Sequence, residues 1–150
     1  MSTPFDFKNK NILVVGGTSG INRGIAETFA KAGARVAVVS RAQEKVDDTV
    51  ASLKKIGAAD ARGFAADVRE PEAIKTGIAD IAAAWGKLDV VVSGAAGNFP
   101  ALATGMSANG FRSVIEIDLL GTFHVMQAVY PHLQKPGASC LLYTSDAADE

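Results

Sequence analysis

Short runs of β-branched and aliphatic residues alternate along this chain with longer stretches in which apolar side chains recur every three or four positions. "NILVVG" at residues 11–16 is a continuous apolar run, the pattern of a strand buried on both faces of a parallel sheet. The segment after it places Ile21, Ile25, Phe29 and Ala30 on one helical face. "RVAVVS" at 35–40 predicts a second buried strand, and Val46, Val50 and Leu53 mark one face of the next helix. "ARGFAADV" predicts a weaker third strand at 61–66. Pro71 suits the first turn of a helix, whose apolar face is Ile74, Ile78, Ile81, Ala82 and Trp85. "LDVVVSG" at 88–94 predicts the fourth strand. A loop, "AAGNFPALATG", then leads to one long helix over 107–130 that Pro131 ends, and a fifth strand starts near Ala138 after Pro136-Gly137.

Strand–helix alternation with mostly short connections implies βαβ units on a parallel sheet. Right-handed crossovers then favour an α/β fold with a doubly wound parallel sheet in strand order 3-2-1-4-5. No internal repeat or linker interrupts the pattern.

Composition narrows the picture by exclusion. With 150 residues, 48% hydrophobic and 21% charged, the chain fits one ordinary globular domain. A formal net charge of −1 offers no footprint for nucleic acid or an anionic membrane surface. No apolar run approaches the roughly 18–20 residues that span a bilayer. The opening "MSTPFDFKNKNILVV" has no secretory apolar core. A single cysteine, Cys140, excludes an internal disulfide framework, fits a reducing compartment and makes the cytoplasm the expected location. His124 and His132 lack partners at ligand spacing, so no metal site is expected.

The chemistry concentrates after the first strand, in "VVGGTSGINRGIA". Gly16 and Gly17 permit a sharp turn and close approach to a ligand, and Gly20 leaves the helix N-terminus open for an anion. Thr18 and Ser19 add hydroxyl donors. A glycine turn can also serve sterics alone; its place between the first strand and first helix favours a cofactor pyrophosphate.

These residues resemble the short-chain dehydrogenase/reductase family, whose fingerprint there is T-G-x-x-x-G-x-G; the resemblance spans residues 11 to about 139. It implies a Rossmann-type fold, a nicotinamide cofactor, and contacts from Gly16, Thr18, Ser19, Gly20, Ile21 and Asn22. Val15 stands in place of the Thr and Asn22 in place of the third Gly, with Gly24 two residues on. Asn tolerates left-handed backbone better than other non-glycine residues, although its side chain narrows the space beside a pyrophosphate. About twenty residues past the turn the chain reads Ser40-Arg41, with no carboxylate to repel a 2′-phosphate and an arginine able to pair with it. NADP(H) is therefore the expected cofactor, with Arg23 adding positive field; Arg41 as a solvated helix-start residue is the plain alternative. Asp67-Val68 is similar to the family's Asp-Val pair at the adenine ring, and Asp67 is equally suited to cap the following helix.

After strand four, where the family shows N-N-A-G, the chain has Ser93-Gly94-Ala95-Ala96-Gly97-Asn98-Phe99. Small Gly94, Ala95 and Ala96 would let a nicotinamide ribose lie against the backbone. The extended loop resembles the 2,4-dienoyl-CoA reductase branch. In "IEIDLLGTF", Asp118 falls where most members have a catalytic Asn, and the peroxisomal type of dienoyl-CoA reductase is similar in having Asp. Asp118 is thus the candidate catalytic residue, relaying a proton through water. A carboxylate among apolar residues should face either a cofactor cleft or solvent, and the cleft is expected for Asp118. Phe99 is placed to wall an acyl pocket or simply to pack. The resemblance implies a small-molecule substrate such as an unsaturated fatty acyl-CoA, and a homo-oligomer formed through the broadly apolar long helix. A ketone or 3-oxoacyl thioester reductase of the same family and a non-catalytic dinucleotide-sensing module are the rival readings.

The tail departs from the family. No Tyr-x-x-x-Lys is present, and "CLLYTSDAADE" resembles in-frame read-through of a transposase-type sequencing adapter. Residues 1–139 are accordingly expected to be the N-terminal part of one reductase domain and 140–150 a non-native tail, making Ser145 an accident of frame rather than a catalytic serine. A fragment of this kind is expected to be inactive and prone to aggregate, with an unpaired edge strand and an exposed apolar helix.

Overall fold

The computed structural model describes residues 5–143, so Ser145 lies outside the described residues. Five strands form one sheet in the order β3-β2-β1-β4-β5: β1 (Asn11–Val15), β2 (Arg35–Ser40), β3 (Asp60–Ala65), β4 (Val90–Ser93) and β5 (Ser139–Leu142). Every pairing is parallel. β1, at the centre, is buried along its whole length, which is why Ile12–Val15 read as an unbroken apolar run, while the buried Asn11 at its start donates to the Trp85 and Lys87 carbonyls.

The two-residue period of β1 divides the core. Ile12 and Val14 point to the face covered by α1 (Gly20–Lys31) and α2 (Gln43–Ile56), together with Val36, Val38, Val46 and Leu53. Leu13 and Val15 point to the opposite face, under α3 (Pro71–Trp85) and α5 (Gly121–Val129), with Ile74, Ile78, Leu88 and Val125. Ile74 and Ile78 are fully buried, each stabilising the fold by roughly 1.5–3 kcal/mol relative to exposure.

Three expectations change. The sheet-facing side of α1 is Asn22, Ala26 and Ala30; Ile25 and Phe29 pack at its margin, and Ile21 is 57% exposed. The buried positions at spacing four include two alanines, which let the helix sit close to the sheet. The helix expected over 107–130 is broken: α4 (Ala108–Val114) passes into a π-helical stretch, Ile115–Leu120, before α5, and Pro131 lies in a final 3₁₀ turn, Tyr130–His132. The strand edges also move. β3 starts one residue earlier than expected, and Leu88 makes only an isolated bridge to Leu133 while β4 proper begins at Val90.

β5 pairs with β4 from Val90↔Ser139 to Ser93↔Leu142, and all four of its side chains are exposed. The first residues of the suspected tail, Cys140–Leu142, therefore extend the sheet in register.

Candidate functional site

The chain leaves β1 towards β2 and β3 on one side, then crosses back to β4 and β5 on the other. Val15 and Ser93 are register partners at the carboxyl ends of β1 and β4, and the loops leaving them must part. A doubly wound sheet opens a crevice at this point. Here it is a cleft of about 470 Å³, within the roughly 300–1,000 Å³ typical of ligand sites.

All the cofactor-contact residues expected from the sequence line this one cleft: the Gly16, Thr18–Asn22 turn, Ser40-Arg41 at the end of β2, Asp67-Val68 after β3 and Gly94–Ala96 after β4. Val15, Val39, Ala66, Ile117 and Tyr143 also line it. Val15 ends β1, Val39 is the last residue but one of β2 and Ala66 directly follows β3, so a closer reading of the strand ends would have found all three. Ile117 arrives from the π-helical stretch, and nothing local to it signals that placement.

The turn is shaped to take an anion. Gly16 has φ +80°, and a Cβ there would stand 2.9 Å from the Gly94 carbonyl oxygen. Gly20 has φ +55°, and a Cβ there would enter open space. Ser19 precedes α1 without capping it, and no acidic side chain occupies the first turn. The positive end of a 12-residue helix thus faces the cleft without a protein anion against it. These residues fit a dinucleotide pyrophosphate. A Gly20→Val variant is expected to lose several degrees of Tm, from the strain of a β-branched residue at φ +55°, and to bind nicotinamide nucleotide about tenfold more weakly, because the added side chain meets no protein but fills the cradle. Thermal melting beside a nucleotide titration measures both parts.

Asn22 does not adopt the left-handed backbone considered for it; Asn9 is the only non-glycine residue with positive φ among the described residues. Its side chain turns inward instead. Nδ2 donates to the Gly94 carbonyl at 2.7 Å, and the residue is 8% exposed. Oδ1 is buried with no protein partner, an arrangement that costs about 1–3 kcal/mol.

The rim carries the charge. Arg41 is exposed, whereas Arg23 pairs along α1 with Glu27 at 3.0 Å. Asp67 accepts from the Arg69 backbone N–H at 2.9 Å and from its guanidinium at 3.0 and 2.6 Å. It therefore shapes the turn ahead of α3, whose own N-cap is Glu70. The Arg69 hydrogen bond, with smaller help from Arg41, holds the Asp67 carboxyl below the usual carboxylate range despite partial burial. A depressed folded-state pKa stabilises the protein above the unfolded value, and this contribution is lost as pH falls through the folded one. Asp67→Asn is accordingly expected to flatten the fall in Tm below about pH 4, as a melting series against pH would show.

His124 Nδ1 donates to the Val68 carbonyl at 2.8 Å, so the ring steadies the Asp67-Val68 loop from α5. Asp118 sits half-buried on the π-helical stretch, one residue beyond the cleft-lining Ile117. One carboxylate oxygen accepts from the Gly97 N–H at 2.8 Å, tying the loop after β4 to the helix. Asp118 is not itself among the residues lining the cleft. Phe99 is 47% exposed, beside Gly110.

An open parallel sheet in this order, with a glycine cradle at its switch point, defines a doubly wound α/β protein of the dinucleotide-binding type. The short chain dehydrogenase family model matches residues 10–150. The chain belongs to the short-chain dehydrogenase family. It is 38% identical over 138 residues to a peroxisomal 2,4-dienoyl-CoA reductase of Arabidopsis thaliana, covering 90% of this chain and 46% of that protein. A probable 2,4-dienoyl-CoA reductase of Bacillus subtilis is 34% identical over 125 residues, or 83% of this chain and 49% of that protein. Among solved structures, a citronellol catabolism dehydrogenase of Pseudomonas aeruginosa superposes with a TM-score of 0.85 at 33% identity, covering 95% of this chain and 59% of that one. The chain thus spans about half the length of the curated relatives it matches. Among the described residues, no helix is long and apolar enough to cross a membrane.

Proposed function

We propose that this chain is the cofactor-binding part of an NADPH-dependent reductase acting on an unsaturated fatty acyl-CoA of the 2,4-dienoyl type. The observation that carries the reading is the convergence of the glycine cradle, Arg41, Asp67-Val68 and the small residues after β4 on one cleft. The names of the relatives favour the dienoyl thioester as substrate class.

In this reading Gly16, Gly20 and the first turn of α1 hold the pyrophosphate, and Arg41 pairs with the 2′-phosphate. Asp67 and Val68 flank the adenine, and Gly94–Ala96 leave room for the nicotinamide ribose. The bound dinucleotide supplies a hydride. Asp118 keeps the loop after β4 in place through Gly97, and its other oxygen is available to orient a water for proton delivery. Large side chains exposed along α4 to α5, Phe111 at 60%, Leu119 at 62% and Phe123 at 57%, support a homo-oligomer formed through this face.

The test is dienoyl-CoA-dependent oxidation of NADPH by the full-length protein. Turnover with a 2,4-dienoyl-CoA, and loss of about 100-fold or more in Asp118→Ala, are expected for a proton-relay residue. Preferential reduction of a ketone or 3-oxoacyl thioester would move the protein to another branch of its family. Nucleotide binding without turnover of any such substrate would favour a sensing role.

A further inference from the structure

The asparagine on α1 and the glycine after β4 form a single fitted pair. Asn22 reaches across 72 positions of sequence to donate to the Gly94 carbonyl. The contact leaves no room on the other side, because a Cβ on Gly94 would run into the Asn22 amide. Gly94 is held at both of its polar groups: its N–H donates to the Val15 carbonyl at 3.0 Å, and its oxygen receives the Asn22 amide. That same oxygen lies against Gly16, where a Cβ would stand 2.9 Å away.

Both are also places where the chain departs from the motifs it resembles. Asn22 stands where the glycine fingerprint has its third Gly, and Gly94 where the loop pattern has its second Asn. Read separately, each is a weakening. In three dimensions they face each other, so side-chain bulk absent from the strand side is supplied from the helix side.

We infer that Asn22 is a positioning residue of the cleft, fixing the turn after β1 against the loop after β4, and that Asn22 and Gly94 are a compensating exchange. The pair sets the distance between the cradle end of the cleft and its small-residue end. This inference rests on the nucleotide-binding reading for its functional half; the structural half stands without it.

The experiment uses the full-length protein carrying Asn22→Gly, Gly94→Ala, Gly94→Asn and the combinations N22G/G94A and N22G/G94N. Melting without nucleotide reads the pair directly: Gly94→Ala should lower Tm in the parent and have little effect once Asn22 is glycine. Titration with NADPH reads its role. Asn22→Gly should raise the Kd about tenfold and raise KM for the nucleotide more than it lowers kcat. Gly94→Asn alone should lose more than tenfold in affinity, and the reciprocal N22G/G94N should return to within about threefold of the parent. An equal Tm loss from Gly94→Ala in both backgrounds overturns the pairing. Unchanged NADPH affinity in Asn22→Gly, or no rescue by the reciprocal variant, overturns the positioning role. A parent protein that binds no nicotinamide nucleotide removes the functional reading, and with it the positioning role, while the melting comparison still decides the pair.

Discussion

Gly16→Val is expected to abolish nucleotide binding and to weaken the fold in the same step. Gly16 sits at φ +80°, where a residue with a Cβ is strained, by roughly 1–2 kcal/mol for left-handed backbone and more for a β-branched side chain. Steric conflict adds to this. The new Cβ would lie 2.9 Å from the Gly94 oxygen, 3.0 Å from its carbonyl carbon and 3.1 Å from the Ala95 nitrogen. All three are backbone atoms, so no rotamer change relieves the clash. The turn and the loop after β4 must separate, and that separation widens the cleft at the point where the two strands hold it closed. Loss of at least 100-fold in NADPH affinity is expected, with a Tm several degrees lower. A variant that binds within twofold of the parent would mean the turn does not hold the nucleotide.

Arg41→Ala is expected to separate the two nicotinamide cofactors. Arg41 lines the cleft after β2 beside Ser40, and its charge reaches Asp67 across the mouth. A 2′-phosphate bound there would be met by a planar donor fork rather than a carboxylate. Hydrogen bonds to charged groups contribute about 1.5–3 kcal/mol, so NADPH affinity should fall roughly 10- to 150-fold while NADH affinity barely changes. Because Arg41 is exposed at the rim, the effect should shrink with added salt. Parallel titrations of both cofactors at two ionic strengths measure it. Equal losses for NADH and NADPH would assign Arg41 a structural role instead.

The readings that held and those that changed differ in range. β1 and β2 were legible because the interior positions of a strand buried on both faces, Ile12–Val15 and Val36–Val39, are all apolar, and that demand is written locally. The face of α3 was legible for the same reason, with Ile74, Ile78 and Ile81 all buried. The face of α1 was misread because Ile21 and Phe29 are more hydrophobic than Asn22 and Ala26, while the sheet selects for closeness of approach. Hydrophobicity marked the wrong stripe there. The π-helical stretch left no mark in the periodicity, since Ile115, Ile117, Leu119 and Leu120 suit any apolar helix. Arg23 looked like part of the positive field until Glu27, one helical turn on, was seen to hold it.

By itself, then, the sequence determined the strand order and the place of the cleft. Local periodicity sets each element, short right-handed crossovers set their order, and glycines that need positive φ declare the turn. Only the tertiary structure decided what Asn22 and Asp118 hold. Their partners, Gly94 and Gly97, are backbone groups 72 and 21 positions away. A backbone carbonyl or N–H is the same in every residue, so no spacing or side-chain pattern can announce that it is to be met. That information exists only once the strands bring the two loops together.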